Sequence, residues 1–143
     1  MPNKLISETL GYLLAQTCKA HRGAAVKLLT ELGLYAGQET ILGRLWQQDG
    51  LTQTELTGQL CVQAATVTKM LNRMVKAGLV ERRGDPDDQR VSRVYLTERG
   101  RDLQQPVQDV WRQLDETAFA SMTPEERMLF RRLLMQVQAN LNK

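Results

Sequence analysis

Between Gln63 and Ala77, helical spacing gathers Val67, Met70, Leu71, Met74 and Val75 on one face. The opposite face offers Gln63, Thr66, Thr68, Lys69, Asn72 and Arg73, with Ala64 at its start. Hydroxyls, amides and cations on one helix face can bond to phosphates and to base edges in a major groove. The chemistry implied is recognition of a polyanion, not bond making. Asn72 can pair with an adenine edge and Arg73 with a guanine or a phosphate, and the spacing does not choose between them. The plain alternative is an ordinary solvated helix face.

Directly after this helix comes ERRGDPDDQRVSRVYLTERG, residues 81–100. Its centre is dense in turn formers, so Leu79-Val80 and Val91 to Leu96 read as two strands joined by a long tip. Arg90 sits in that tip, where a long cation on a thin loop can enter a narrow minor groove. Asp88 would be repelled by phosphates if it faced them, and bracing the Arg90 guanidinium suits it better. The bland reading is a surface ion pair worth little. Arg83, with Arg82 and Arg93, is a further phosphate candidate on the strands.

Charge follows the same geography. The net charge is +3, which by itself decides nothing. Residues 69–101 hold nine Lys/Arg against five Asp/Glu, and the rest of the chain is balanced to within one charge. The excess therefore lies where a polyanion would have to touch.

Other elements must position these groups. Leu5, Ile6, Leu10, Leu13, Leu14, Thr17, Ala24, Ala25, Leu28, Leu29 and Leu32 recur at helical steps up to Gly33. A helix over about 38–48 buries Ile41, Leu42, Leu45 and Trp46. Thr52 and Glu55 form a capping box that opens a short helix just before the basic one. Gly78 supplies the basic helix with its C-cap. From Thr97 a helix carries Leu103, Val107, Val110, Trp111, Leu114 and Ala118. Thr123, Pro124 and Glu126 then cap a last one with Leu129, Leu133, Leu134, Val137 and Leu141. The outer helices carry more leucine than one small core can cover, which predicts a partner chain.

A chain of 143 residues suits one domain. Its first residues, MPNKLISETL, lack the apolar run of a signal peptide, and no stretch is apolar enough to span a bilayer, so a cytoplasmic protein is expected. Cys18 and Cys61 have no metal-ligand spacing and read as free thiols. His21 is the single histidine, which argues against a His-rich metal site and against most catalytic triads. The acidic residues read as caps, turn formers and solvated positions. No catalytic residue, metal or cofactor is expected, and an enzyme is disfavoured.

LTQTELTGQL at 51–60, TVTKMLNRMVKAGLVERR at 66–83, DPDDQR at 85–90 and LTERG at 96–100 resemble the MarR (multiple antibiotic resistance regulator) family. The D-x-R with Leu-Thr-x-x-Gly six residues on is the most specific part, and Gln89 stands where many members have a charge. The resemblance implies a mainly α fold with a small β-hairpin wing, a winged helix-turn-helix at 37–101 flanked by dimerisation helices at 1–36 and 102–143. It implies a homodimer on a double-stranded, pseudo-palindromic DNA operator, a transcriptional repressor released by a small-molecule effector. It also implies that Asp88 braces Arg90. Effector pockets in such dimers lie in the crevice beside the reading lobe, where Tyr12, His21, Arg22, Tyr35 and Trp46 are candidates. Peroxide-sensing relatives use a cysteine on the first helix. Cys18, with Lys19, His21 and Arg22 nearby, leaves a thiol-based redox sensor open, although a buried hydrophobe is the commoner fate of such a residue. Cys61 is expected to pack. A winged-helix module that binds protein is the other alternative, and it would favour an apolar face on 63–77 instead of the basic one found.

Overall fold

The computed structural model describes residues 5–60 and 62–143. A 3-10 turn, Ile6–Glu8, precedes α1 (Leu10–Glu31). Then follow α2 (Gln38–Gln47), β1 (Leu51–Thr52), α3 (Gln53–Leu60) and α4 (Ala64–Lys76). The hairpin β2 (Val80–Gly84) and β3 (Ser92–Leu96) leads into α5 (Glu98–Asp102), α6 (Gln104–Ala118) and α7 (Pro124–Leu141). None of the described helices is long and apolar enough to cross a membrane.

Local chemistry sets the boundaries. In the box that opens α3, Thr52 N–H donates to Glu55 Oε2 at 3.2 Å and Glu55 N–H to Thr52 Oγ1 at 3.1 Å. The same reciprocal pair, Thr123 with Glu126, opens α7 behind Pro124. At the end of α4, Gly78 takes φ +75°. Its N–H reaches Val75 O and that of Leu79 reaches Met74 O, so the carbonyls of the last turn are satisfied.

Four elements differ from the sequence reading, among them the first strand of the hairpin, read as Leu79-Val80 and found at Val80–Gly84. The expected single first helix is broken at Thr9, whose extended backbone lets its hydroxyl accept from Tyr12 N–H and cap α1. The helix expected from Thr97 onward is two: it is interrupted at Leu103, and Pro106, which has no N–H to give the preceding turn, falls in the first turn of α6. β1 was not foreseen, because two residues carry no period.

The sheet has the order β1-β3-β2, antiparallel throughout. Leu51 opposes Val94, and Val80, Glu81, Arg82 and Arg83 oppose Leu96, Tyr95, Val94 and Arg93. Val80, Val94 and Leu96 thus share the face that enters the core. That core is continuous from Ala25 and Leu29 on α1, through Ile41, Leu42 and Leu45, to Val107, Val110 and Leu114 on α6. Val67, Leu71 and Met74 plant α4 in it, whereas Met70 is half-buried and Val75 is exposed. α7 buries none of its residues within the chain, and Leu5, Ile6, Leu10, Leu13, Met128 and Leu129 are all exposed.

Candidate nucleic-acid interface

With Val67, Leu71 and Met74 turned inward, 100° per residue sends Ala65, Lys69, Asn72 and Lys76 outward. Gln63, the N-cap, and Ala64, Thr66, Lys69, Asn72 and Arg73 are all exposed, so six of the seven candidates on this segment lie on solvated surface. Thr68 does not. It is half-buried on the flank against α3, where its hydroxyl accepts from Gln53 Nε2 at 2.6 Å and donates to Ala64 O. Arg73 stacks over the Tyr35 ring, 5.9 Å from its centroid. Asn72 Oδ1 accepts from Arg82 Nη1 at 2.8 Å, a tie between α4 and β2 that residue spacing alone did not reveal.

The wing is organised around two carboxylates. Asp88 Oδ1 accepts from Arg90 N–H and from Arg90 Nε, both at 3.1 Å, and Asp88 Oδ2 lies 3.4 Å from Arg90 Nη2. The Arg90 side chain is 91% exposed, so the pair holds a protruding cation in place without burying it. Asp85 is the deeper anchor. Its Oδ2 takes Arg93 Nε at 2.7 Å, and its Oδ1 takes the N–H groups of Asp87 and Asp88 at 2.8 and 3.4 Å. This is the Asx turn that the Asp-Pro pair at 85–86 signals. The Arg93 hydrogen bond, followed by the Asp87 N–H, holds the Asp85 carboxyl below its ordinary range, and the bond to Asp85 raises the Arg93 guanidinium above its own.

Arg93 also donates to Gly50 O at 2.9 Å, which ties the wing to the corner before β1. Two of its donors, Nε and Nη1, are thus engaged within the protein, which its place on the strand did not foretell. Arg83 is exposed, pairs with Glu81 and lies 4.7 Å over the Tyr95 ring.

The effector candidates separate. A groove of about 330 Å³ runs between α1, the start of α2, the end of α3 and α6. His21 and Arg22 line it, with Ala25, Glu39, Thr40 and Trp111, and the His21 and Trp111 rings lie 5.6 Å apart. Tyr12, Tyr35 and Trp46 do not line it. Tyr12 is on an exposed part of α1 near its start, Tyr35 is drawn off by Arg73, and Trp46 Nε1 donates to Gly100 O at 2.9 Å from the edge of the core. Trp111 went unnoticed as a groove residue because its spacing marks it equally as core. Cys18 is exposed on α1, contrary to the buried position that a lone helical cysteine usually takes. Cys61 lies outside the described residues.

A sequence profile of the MarR family matches residues 34–92, which hold α4 and the wing tip. The chain is 30% identical over 125 residues to the HTH-type transcriptional repressor Mb2911 of Mycobacterium bovis, covering 87% of this chain and 90% of that one. A cysteine-to-serine mutant of E. coli MarR, solved in complex with operator DNA, superposes with a TM-score of 0.84 at 28% identity, covering 94% of this chain and 99% of the other. BpsR of Bordetella bronchiseptica, whose DNA binding is regulated by 6-hydroxynicotinic acid, gives 0.85 at 25% identity, covering 95% and 97%. These relatives are transcription regulators, not enzymes. With the exposed cationic face of α4 and the braced wing, they place this chain in the MarR family of DNA-binding transcriptional regulators.

Proposed function

We propose that the chain is a repressor that binds a pseudo-palindromic operator as a homodimer and is released from it by a small ligand. The observation that carries this reading is a division of the surface. The polar and cationic residues of α4 and the wing are exposed on the lobe 37–101, while uncovered apolar side chains collect on the described parts of the terminal segments, 5–36 and 102–143. A second copy covering those side chains by a two-fold operation would present two α4 helices to successive major grooves, about one helical turn apart.

In this reading α4 lies in the major groove. Gln63, Ala64, Thr66, Lys69, Asn72 and Arg73 face the DNA, and Thr68 contributes by setting α4 against α3. Arg90, braced by Asp88, enters the minor groove, and Arg83 meets the backbone. The terminal helices form an obligate interface, expected to bury more than ~2,000 Å². The groove beside His21, Arg22 and Trp111 takes the effector, as a small aromatic acid regulates the related BpsR. Repression agrees with the repressor name of the mycobacterial relative.

Footprinting and sedimentation test the proposal together. A dimer at micromolar concentration, a footprint with two half-sites centred about 10 bp apart, and a melting temperature that rises with protein concentration are expected. A monomer bound to one asymmetric site, with melting unchanged on dilution, would refute it.

A further inference from the structure

The tie between Arg82 and Asn72 bears on which base this protein selects. The sheet register places Arg82 opposite Val94, so it leaves β2 on the same face as Val80, Val94 and Leu96. That face is turned to the core in which α4 is planted. Arg82 lies beyond the buried part of the strand, and its Nη1 reaches Asn72 Oδ1 at 2.8 Å. The backbone register, and not a chance rotamer alone, brings the two together.

A guanidinium donates and cannot accept. Whichever way the Asn72 amide turns, the atom facing Arg82 must therefore be its oxygen, and the Nδ2 hydrogens must point away. The usual two-bond match of asparagine to adenine needs that oxygen to accept from the adenine N6 amino group while Nδ2 donates to N7. Arg82 occupies one of the two lone pairs of that oxygen and fixes the amide plane toward the wing, so the accepting half is weakened although one lone pair stays open. The donating half is intact. Two donors fit a base edge that offers acceptors, and guanine offers N7 and O6 together.

We propose that Arg82 is a specificity-determining residue, acting through Asn72. It biases Asn72 toward reading through its Nδ2 donors, so that it selects guanine over adenine at one position of each half-site. This rests on the reading of α4 as the DNA-facing helix. Arg82 itself touches no base in the proposal; it sets the orientation of a residue that does.

A binding selection from DNA randomised across the half-site tests it, run on the full chain and its variants, with melting temperature as a control for folding. The wild type should prefer guanine over adenine at one position by about tenfold, and Asn72→Ala should flatten that position alone. Arg82→Met, which keeps length but loses the donor, should cut the preference below about threefold or turn it to adenine. Arg82→Lys, which still donates, should restore part of it. Asn72→Asp, which can only accept, should abolish the choice of guanine. Loss of a merely structural tie would lower melting or overall affinity without changing the base chosen.

If Arg82→Met keeps the wild-type base, if the wild type selects adenine there, or if Asn72→Ala flattens no position while Lys69→Ala still weakens binding, the proposal fails and α4 remains the reader. If neither Asn72→Ala nor Lys69→Ala changes affinity or sequence preference, the placement of α4 fails with it.

Discussion

The Asp88–Arg90 pair allows a sharp test of how the wing works. With Arg90 91% exposed and Asp88 42% exposed, the ion pair is too well solvated to hold the fold together. Its geometry suits it to orient a side chain instead. One carboxylate fixes the Arg90 side chain at Nε and Nη2 and also takes its backbone N–H. A long side chain held this way has given up rotamer freedom before it meets DNA. Arg90→Ala removes the cation and should cost about 1–3 kcal/mol in operator binding, with a salt slope lower by about 1 for each wing. Asp88→Ala leaves the cation and frees the arm. The cost is then the freedom that binding must remove, about 0.5–1.5 kcal/mol, with the salt slope unchanged because the number of phosphates met is the same. Once Arg90 is gone, Asp88 has nothing to orient, so the double variant should bind like Arg90→Ala alone. Titrations of labelled operator across a salt series, on all four proteins, measure each of these effects. Melting temperatures should agree within about 1 °C. Additive losses in the double variant, or wild-type binding by Arg90→Ala, would refute this account of the wing.

Two further outcomes follow from the fold that carries the wing. A methyl group at Gly100 would run into the Leu79 carbonyl oxygen and come within 3.2 Å of Leu96 Cδ2. That carbonyl is held by Thr97 N–H and Thr97 Oγ1 and cannot easily give way. Gly100→Ala should therefore cost about 2–3 kcal/mol and lower the melting temperature by roughly 4–10 °C, and a change under about 1 °C would count against it. Asp85 titrates below its ordinary 3.8. A depressed carboxyl stabilises above that ordinary value, and the contribution is lost as pH falls through the lowered one. Arg93, raised above its ordinary range, stays charged throughout. Protection of the Asp87 and Asp88 amides from hydrogen exchange should be flat at neutrality and fall from about pH 5 downward, whereas Asp85→Asn should be poorly protected at pH 7 with no acid limb. An unaltered acid limb in Asp85→Asn would assign the effect to another group.

What could be read from residues alone was what local chemistry decides. The capping boxes at Thr52 and Thr123, the αL glycine after α4 and the inward row Val67, Leu71 and Met74 each depend on neighbours within one or two turns. The Asp88–Arg90 brace is equally local, two residues apart. The features that escaped are set by contacts distant in sequence. Arg93 faces inward because Gly50 O, 43 residues away, is waiting for it. Thr68 leaves the outer face because Gln53 of the preceding helix takes its hydroxyl. Tyr35 and Trp46 are aromatic in type but belong to Arg73 and Gly100 O, not to the groove. Residue type and helical period cannot tell a groove aromatic from a core one, and Trp111 shows the same ambiguity in reverse.

These distant contacts also give the proposed release a physical route. The turn between α1 and α2 forms one rim of the groove, through Ala36 and Gly37, and touches α4 twice. Gly37 has φ +95°, and a side chain there would lie 3.0 Å from Met70 Cε, so this backbone and α4 are in close contact. Two residues earlier, Tyr35 carries the Arg73 guanidinium on its ring. A ligand that pushes the start of α2 away from α1 must therefore move Met70 and Arg73 or break contact with them. Met70 is half-buried against the core and resists sliding, while the Arg73–Tyr35 stack is exposed and weak. The displacement thus passes to α4 as a shift of the whole helix more readily than as a change in one side chain. The ligand can alter operator occupancy only by the ratio of its affinities for the two positions of α4, so a hundredfold release requires about 2.7 kcal/mol of difference between them. Contacts that form only in the displaced state, between the ligand and residues such as Arg22 or Thr40, would have to supply it.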